Sequence, residues 1–182
     1  GVDDEACVEA VRAVTNATLR LDANGGWSRE EAARLIPRLA RFKIELVEQP
    51  LAVADRDGFA WLRAQRIGVP IFADESVSTV EGVDALAQNV DGIVIKLRKF
   101  GGLRLAHAAI ERARSLGLRT MMGCMIESSL AVTAAAHLAL CCDLADLDAP
   151  FTVRPEQRDL RVDRAQERHG VARLHGPAAR TR

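Results

Sequence analysis

The stretch IELVEQP, residues 44–50, begins as a buried strand and ends as something else. Ile44, Leu46 and Val47 are strand-forming apolar residues. The run then delivers a carboxylate, Glu48, to its tip, followed by Gln49 and Pro50. An ionised carboxylate at the end of a buried strand is costly unless something offsets its charge. Working outward, the same design recurs. TLRLDAN (18–24) reads as a strand carrying Asp22, VPIFADES (69–76) as one carrying Asp74, and GIVIKL (92–97) as one carrying Lys96. Two more strands are expected, one opening RTMMGCMIES (119–128) and a short one at LADLD (144–148).

Helical patterns separate these runs. SREEAARLIPRLARF (28–42) is a helix with Ser28 and Glu31 at capping-box spacing and a proline, Pro37, placed to kink it. Further helices are expected over 3–15, 57–67, 79–89, 103–116 and 129–142, the third with a capping box at Ser78 and Glu81. Strands alternating with helices imply parallel strands joined by crossovers. The interval from Asp22 to Glu48 is 26 residues, from Glu48 to Asp74 26 again, and from Asp74 to Lys96 22. Each interval is one strand plus one helix. A doubly wound sheet would carry a Gly-rich phosphate turn after its first strand, and NGGW (24–27) lacks that spacing. The expected fold is therefore α/β, a partial (β/α) barrel of the TIM type with about six βα units over residues 1–150. Residues 151–182 are rich in Arg and lack apolar periodicity, so they read as a poorly ordered tail or a weak helix.

Bulk properties exclude several classes. The formal net charge is zero, so no basic face for nucleic acid or an anionic membrane is expected. No apolar run is long enough for a spanning helix. Gly1-Val2-Asp3-Asp4 is no signal peptide, and without an initiator Met the expectation is a piece of a longer chain. Cys7, Cys124, Cys141 and Cys142 form no Cys-x-x-Cys pair, which argues against zinc and for a reducing, cytoplasmic compartment.

In a barrel, successive strand tips surround one cavity at the C-terminal face. Side chains two apart share a face, so Leu46 with Glu48, Phe72 with Asp74 and Val94 with Lys96 point inward together. Arg20 points inward beneath Asp22, with no partner evident in the sequence. A lone strand-end acid is more often a helix cap or a loop charge. Three at successive tips would repel one another, and a divalent cation resolves that. Hard oxygen donors suit Mg2+ or Mn2+. Lys96 beside them, with a lowered pKa, is a base, or else forms a salt bridge to an acid such as Glu75. Lys99 reads as a solvated loop residue, and His107 and His137 as helix-surface or packing residues.

LDAN, EQP, ADES and IKLRKFGG, in this order and spacing, resemble the enolase superfamily and within it the muconate-lactonising group. The resemblance implies that Asp22, Glu48 and Asp74 bind Mg2+ and that Lys96 is a general acid/base acting on a proton next to a carboxylate. GCMIESS (123–129) and the Asp146-x-Asp148 pair resemble dipeptide epimerases, in which such a pair binds the substrate ammonium. That implies an L-Ala-D/L-Glu epimerase-like isomerase acting on dipeptides from peptidoglycan turnover, with Cys124 and Glu127 lining its pocket. Muconate cycloisomerase and o-succinylbenzoate synthase are the alternatives within the superfamily, and a non-catalytic remnant the one outside it. The family also has a capping domain, first barrel strands and a Lys-x-Lys pair that do not occur in these 182 residues. On Lys96 alone, one face of the substrate should exchange its proton. The two sheet edges of an open barrel invite aggregation or pairing with another chain, a second copy among the possibilities.

Overall fold

In the structure, a computed structural model, residues 3–55 and 57–148 are described, with the backbone of 161–162 and 174–175. Six parallel strands run in chain order: β1 Leu19–Asp22, β2 Ile44–Glu48, β3 Ile71–Ala73, β4 Gly92–Ile95, β5 Arg119–Met122 and β6 Leu144–Ala145. The helices are α1 Asp4–Val14, α2 Arg29–Leu39, α3 Gly58–Ala64, α4 Val80–Leu86, α5 Leu97–Phe100, α6 Leu103–Ser115 and α7 Ser129–Ala139. This is the partial barrel the sequence implies, a sheet curled into an open trough. Of the expected tail, Arg161–Val162 pairs antiparallel with Leu174–His175. Its backbone there is extended rather than helical, and the rest of 151–182 lies outside the described residues. Among the described residues no helix is long and apolar enough to cross a membrane.

Strand alternation divides the core in two. Val47, Ile71, Ala73, Ile93, Ile95 and Met122 face outward and pack with Leu35, Ile36, Leu39, Leu62, Val83, Ala109 and Ile110 of the helices. Leu46, Phe72, Val94 and Met121 face inward as a separate cluster beneath the strand tips. The helices bury small residues where they cross the sheet, Ala106, Ala109 and Ala113 on α6, which lets the backbones approach closely.

The local helix signals are present, one of them displaced by a residue. The Ser28–Glu31 capping box is present and opens α2. Pro37 sits inside α2, and the chain passes at Leu39 into a 3-10 turn, Ala40–Phe42. For α4 the cap is not Ser78 but Thr79, whose hydroxyl accepts from the Gly82 amide at 3.0 Å. A further short helix, α5, was not anticipated. It starts directly after Lys96 and ends on Gly101 at φ 82. β6 is shorter than expected, so Asp146 and Asp148 follow the strand instead of sharing its face.

The register also carries a bulge. Leu19 opposes Ile44, but Arg20 opposes Leu46, which leaves Glu45 as an extra residue on β2. A bulge of this kind turns two successive side chains to one side. Glu45 thereby meets Arg20 inside the trough, Nε to Oε2 at 2.6 Å. That is the partner the sequence did not reveal. Arg119 stands 3.7 Å from Glu45 and lies over the Phe72 ring at 5.5 Å.

Gly92 shows how tightly the inner cluster is set. A Cβ there would fall on the Phe72 ring and 2.7 Å from the Arg119 carbonyl oxygen. Gly92→Ala is expected to lower the unfolding free energy by about 1–3 kcal/mol, the cost of overpacking a full core, measured by urea denaturation.

Candidate active site

The strand tips do converge. Asp22 lies level with Glu48 across the β1–β2 ladder, and Glu48 level with Phe72, which places Asp74 one step above on β3. Glu48 is buried at 7% exposure and Asp74 at 1%, while Asp22 is exposed. Asp22 is held by its own turn, its Oδ1 accepting from the Asn24 amide at 2.8 Å.

Two lysines face these acids. Lys96 Nζ donates to Asp74 Oδ2 and stands 3.9 Å from Glu48 Oε1. Lys99, expected in solvent, is instead nearly buried on α5, and this corrects the sequence reading. Its ammonium donates to the Asp74 carboxylate, to the Asp74 carbonyl at 2.7 Å and to the Val94 carbonyl at 2.9 Å. An ammonium has three donors, so Lys99 is saturated and ties the tip of β3 to that of β4. Lys96 bonds one carboxylate oxygen and keeps donors to spare. The missed signal was the i, i+3 spacing of Lys96 and Lys99 ahead of Gly101-Gly102, which puts both on one turn of helix.

Gln49 was also missed. It is 1% exposed and sits at φ 37, a left-handed conformation costly for a residue with a Cβ. Its amide is fully used. Nε2 donates to the Leu51 carbonyl at 2.7 Å and to Ser76 Oγ at 2.7 Å, and Oε1 accepts from the amides of Asp74 at 2.9 Å and Ser76 at 3.2 Å. Gln49 thus orients the backbone that carries Asp74. Gly123 completes the setting, since a Cβ there would lie 3.0 Å from Lys96 Cε and 2.9 Å from Val94 Cγ1.

The charges are unevenly resolved. Burial, then the charges of Asp22 and Asp74, push the Glu48 carboxyl up to about 8. Burial would raise Asp74 too, but the two ammonium groups outweigh it and hold the carboxyl low. Burial is the largest single influence on both lysines. On Lys99 it prevails and lowers the pKa. On Lys96 the bond to Asp74 and the charges of Asp74, Glu48 and Glu75 prevail and raise it. The lowered pKa expected for Lys96 is therefore not the state of this arrangement. Among the described residues no three His, Cys, Asp or Glu side chains already stand at metal-ligand spacing. The donor chemistry still fits a hard cation: three carboxylates with no sulfur or imidazole, one of them holding a proton near neutrality for want of positive charge.

The other expected residues gather at the end of β6 and beyond β5. Asp148 Oδ1 accepts from Cys124 Sγ at 3.8 Å. Asp146 retains solvent contact, yet surrounding protein and then the Asp148 charge push its carboxyl upward. Glu127 has one enclosed carboxylate oxygen without a hydrogen-bond partner. It lines an open groove of about 530 Å3 with Leu97, Arg98, Gly102 and Ile126, beside the acids rather than among them. His107 and His137 are on exposed helix surfaces, as expected.

Comparison with known proteins matches residues 1–177 to the enolase C-terminal domain-like family. The chain is 45% identical over 150 residues to the L-Ala-D/L-amino acid epimerase of Pedosphaera parvula, covering 80% of this chain and 43% of that protein. A substrate-liganded L-Ala-D/L-Glu epimerase from Bacillus subtilis superposes with a TM-score of 0.82 at 36% identity, over 88% of this chain and 46% of that one. A dipeptide epimerase from Enterococcus faecalis, complexed with Mg and L-Leu-L-Tyr, gives 0.80 at 38% identity, over 87% and 46%. The chain thus spans less than half the length of these relatives.

The proton on Glu48 has a measurable consequence. A carboxyl raised in the folded state contributes stability that is full below its unfolded pKa of about 4.3 and is lost as pH rises through about 8. Glu48→Gln mimics the protonated form at every pH. In chelator, the variant's stability advantage over wild type should grow from near zero at pH 4 to roughly 2–4 kcal/mol at pH 9. Parallel pH profiles for the two proteins would contradict it.

Proposed function

The chain belongs to the enolase C-terminal domain-like family, and from that premise we propose that it carries the proton-abstracting half of a dipeptide epimerase site. The observation that carries the reading is Glu48, buried between Asp22 and Asp74 and short of positive charge, with Lys96 3.9 Å away. Asp22, Glu48 and Asp74 would hold Mg2+, with Mn2+ as a substitute. Bound there, the ion supplies positive charge beside the substrate carboxylate and so acidifies the neighbouring C–H.

The remaining roles belong to the chain's own groups. Lys96 takes the α-proton of the C-terminal residue of an L-Ala-D/L-Glu-type dipeptide. Neutralising Asp74 and Glu48 leaves burial as the dominant influence on Lys96, and burial favours the uncharged amine that accepts a proton. Lys99 and Gln49 hold the strand tips still while Lys96 changes charge. Asp146 and Asp148 receive the substrate ammonium, while Cys124 and Glu127 flank it. An acid pair suits an ammonium and not the substrates of muconate cycloisomerase or o-succinylbenzoate synthase, which have none.

We assign this chemistry to a cytoplasmic protein, a reading supported by four free thiols. Among the described strands β1 and β6 each have one unpaired side, and a second copy would associate there.

The test is Mg2+ calorimetry with α-proton exchange of L-Ala-L-Glu in deuterated water. Glu48→Gln should weaken Mg2+ at least tenfold. Lys96→Met should bind Mg2+ yet slow exchange by 10^2 to 10^4, the usual contribution of a positioned base. Exchange that survives Lys96→Met, or is indifferent to chelator, would sink the reading.

A further inference from the structure

We propose that Lys99 is a positioning residue that sets the ion preference of the acid cluster: by holding one Asp74 oxygen it leaves that carboxylate a single oxygen for a cation, which favours Mg2+ over Ca2+. The proposal rests on the metal-binding role proposed above for Asp22, Glu48 and Asp74. To that reading it adds a division of labour between the two lysines. Lys99 donates to Asp74 Oδ1 and Lys96 to Asp74 Oδ2. A cation that takes Asp74 has to displace one of them.

The two bonds are unequally easy to give up. Lys99 also donates to the Asp74 carbonyl at 2.7 Å and to the Val94 carbonyl at 2.9 Å. Its side chain is 11% exposed. Losing Oδ1 would leave one donor of a buried ammonium unmet, which is costly. The stem of Lys99 is also anchored, because α5 is fixed on either side of it by buried Leu97 and Phe100. Lys96 has one close bond, stands 3.9 Å from Glu48 and precedes α5 rather than lying within it. Lys96 therefore releases Oδ2, and Lys99 keeps Oδ1. Asp74 cannot turn to offer both oxygens. Its amide donates to Gln49 Oε1 at 2.9 Å, and its carbonyl accepts from the Val77 amide at 3.0 Å as well as from Lys99.

Asp22 is restricted in the same way by another donor, since its Oδ1 accepts from the Asn24 amide at 2.8 Å. Two of the three carboxylates thus have one oxygen engaged by the protein. Ca2+ collects about six to eight oxygens and often takes both from one carboxylate. Mg2+ is smaller, demands a near-octahedral shell and keeps several waters. A cluster that offers single oxygens from Asp22 and Asp74 suits the second ion and starves the first. The Asn24 donor belongs to the backbone, so Lys99 is the part of this restriction that a substitution can remove.

Calorimetry of the full chain with MgCl2 and with CaCl2 tests this. Wild type should bind Mg2+ the more tightly, and equal affinities would overturn the proposal. Lys99→Met keeps an apolar stem and removes the donors. In it, Ca2+ affinity should rise relative to Mg2+ by roughly tenfold. Loss of a positive charge alone would raise both affinities by one factor, and a damaged site would lower both. A Ca2+ to Mg2+ ratio within about twofold of wild type overturns the proposal in either case. NMR on the wild type gives a second reading that needs no variant to fold. The hydrogen-bond coupling between Lys99 Nζ and the Asp74 carboxyl carbon should persist in saturating Mg2+, while that of Lys96 disappears. Loss of the first coupling, or survival of the second, would overturn the proposal. Mg2+ binding that Glu48→Gln weakens, with an unchanged ratio in Lys99→Met, would remove the role of Lys99 and leave the proposed function standing. Wild type that binds neither ion would remove both.

Discussion

Everything at the C-terminal face of this sheet answers to the electrostatic cost of bringing Asp22, Glu48 and Asp74 together. Two of the three are buried, where like charges are poorly screened. The chain offsets part of that cost with two ammonium groups and part by leaving Glu48 protonated. Neither device removes the demand for positive charge. A site with such a deficit is unfavourable for folding and favourable for capturing a cation, which is the usual relation between functional sites and stability. The stabilisation comes from elsewhere, chiefly from the apolar layer between the outer sheet face and α2, α3, α4 and α6.

This division explains why the supporting groups are so completely bonded. Lys99 uses three donors and Gln49 all four of its amide's hydrogen-bonding positions. Both link adjacent strand tips, Lys99 from β4 to β3 and Gln49 from β2 to β3. The strained φ of Gln49 persists because those bonds over-determine it. Against that rigid frame, Lys96 has one close bond and a cleared space, since Gly123 leaves room for its stem. The one loosely held group among these is Lys96, the group to which the proposed function gives a proton to exchange.

The sequence made the frame legible and the linkages illegible, for different physical reasons. Strand order, the inward parity of Leu46, Phe72 and Val94, and the acids at the tips follow from period-two alternation and regular spacing, which are local properties. The capping box at Ser28 is local too. The burial of Lys99 is hidden in the sequence because it depends on α5, a four-residue helix too short to show periodicity. Gln49 was passed over because an amide looks the same in sequence whether it faces solvent or closes a network. Arg20 found no partner because the partner is supplied by a bulge, and an extra residue in a strand cannot be seen until the opposing strand is in place. The strand expected over 144–148 ends three residues earlier, at Ala145, because strand boundaries carry the weakest signals.

The open edge ties these observations together. A barrel gains stability by having no edge strand, and here β1 and β6 each keep one side unpaired among the described strands. The acids that call for a cation sit at the tips of β1 to β3, and the acid pair Asp146 and Asp148 sits past β6. On the function proposed above, one small substrate has to meet both groups, so their separation matters as much as the geometry within either.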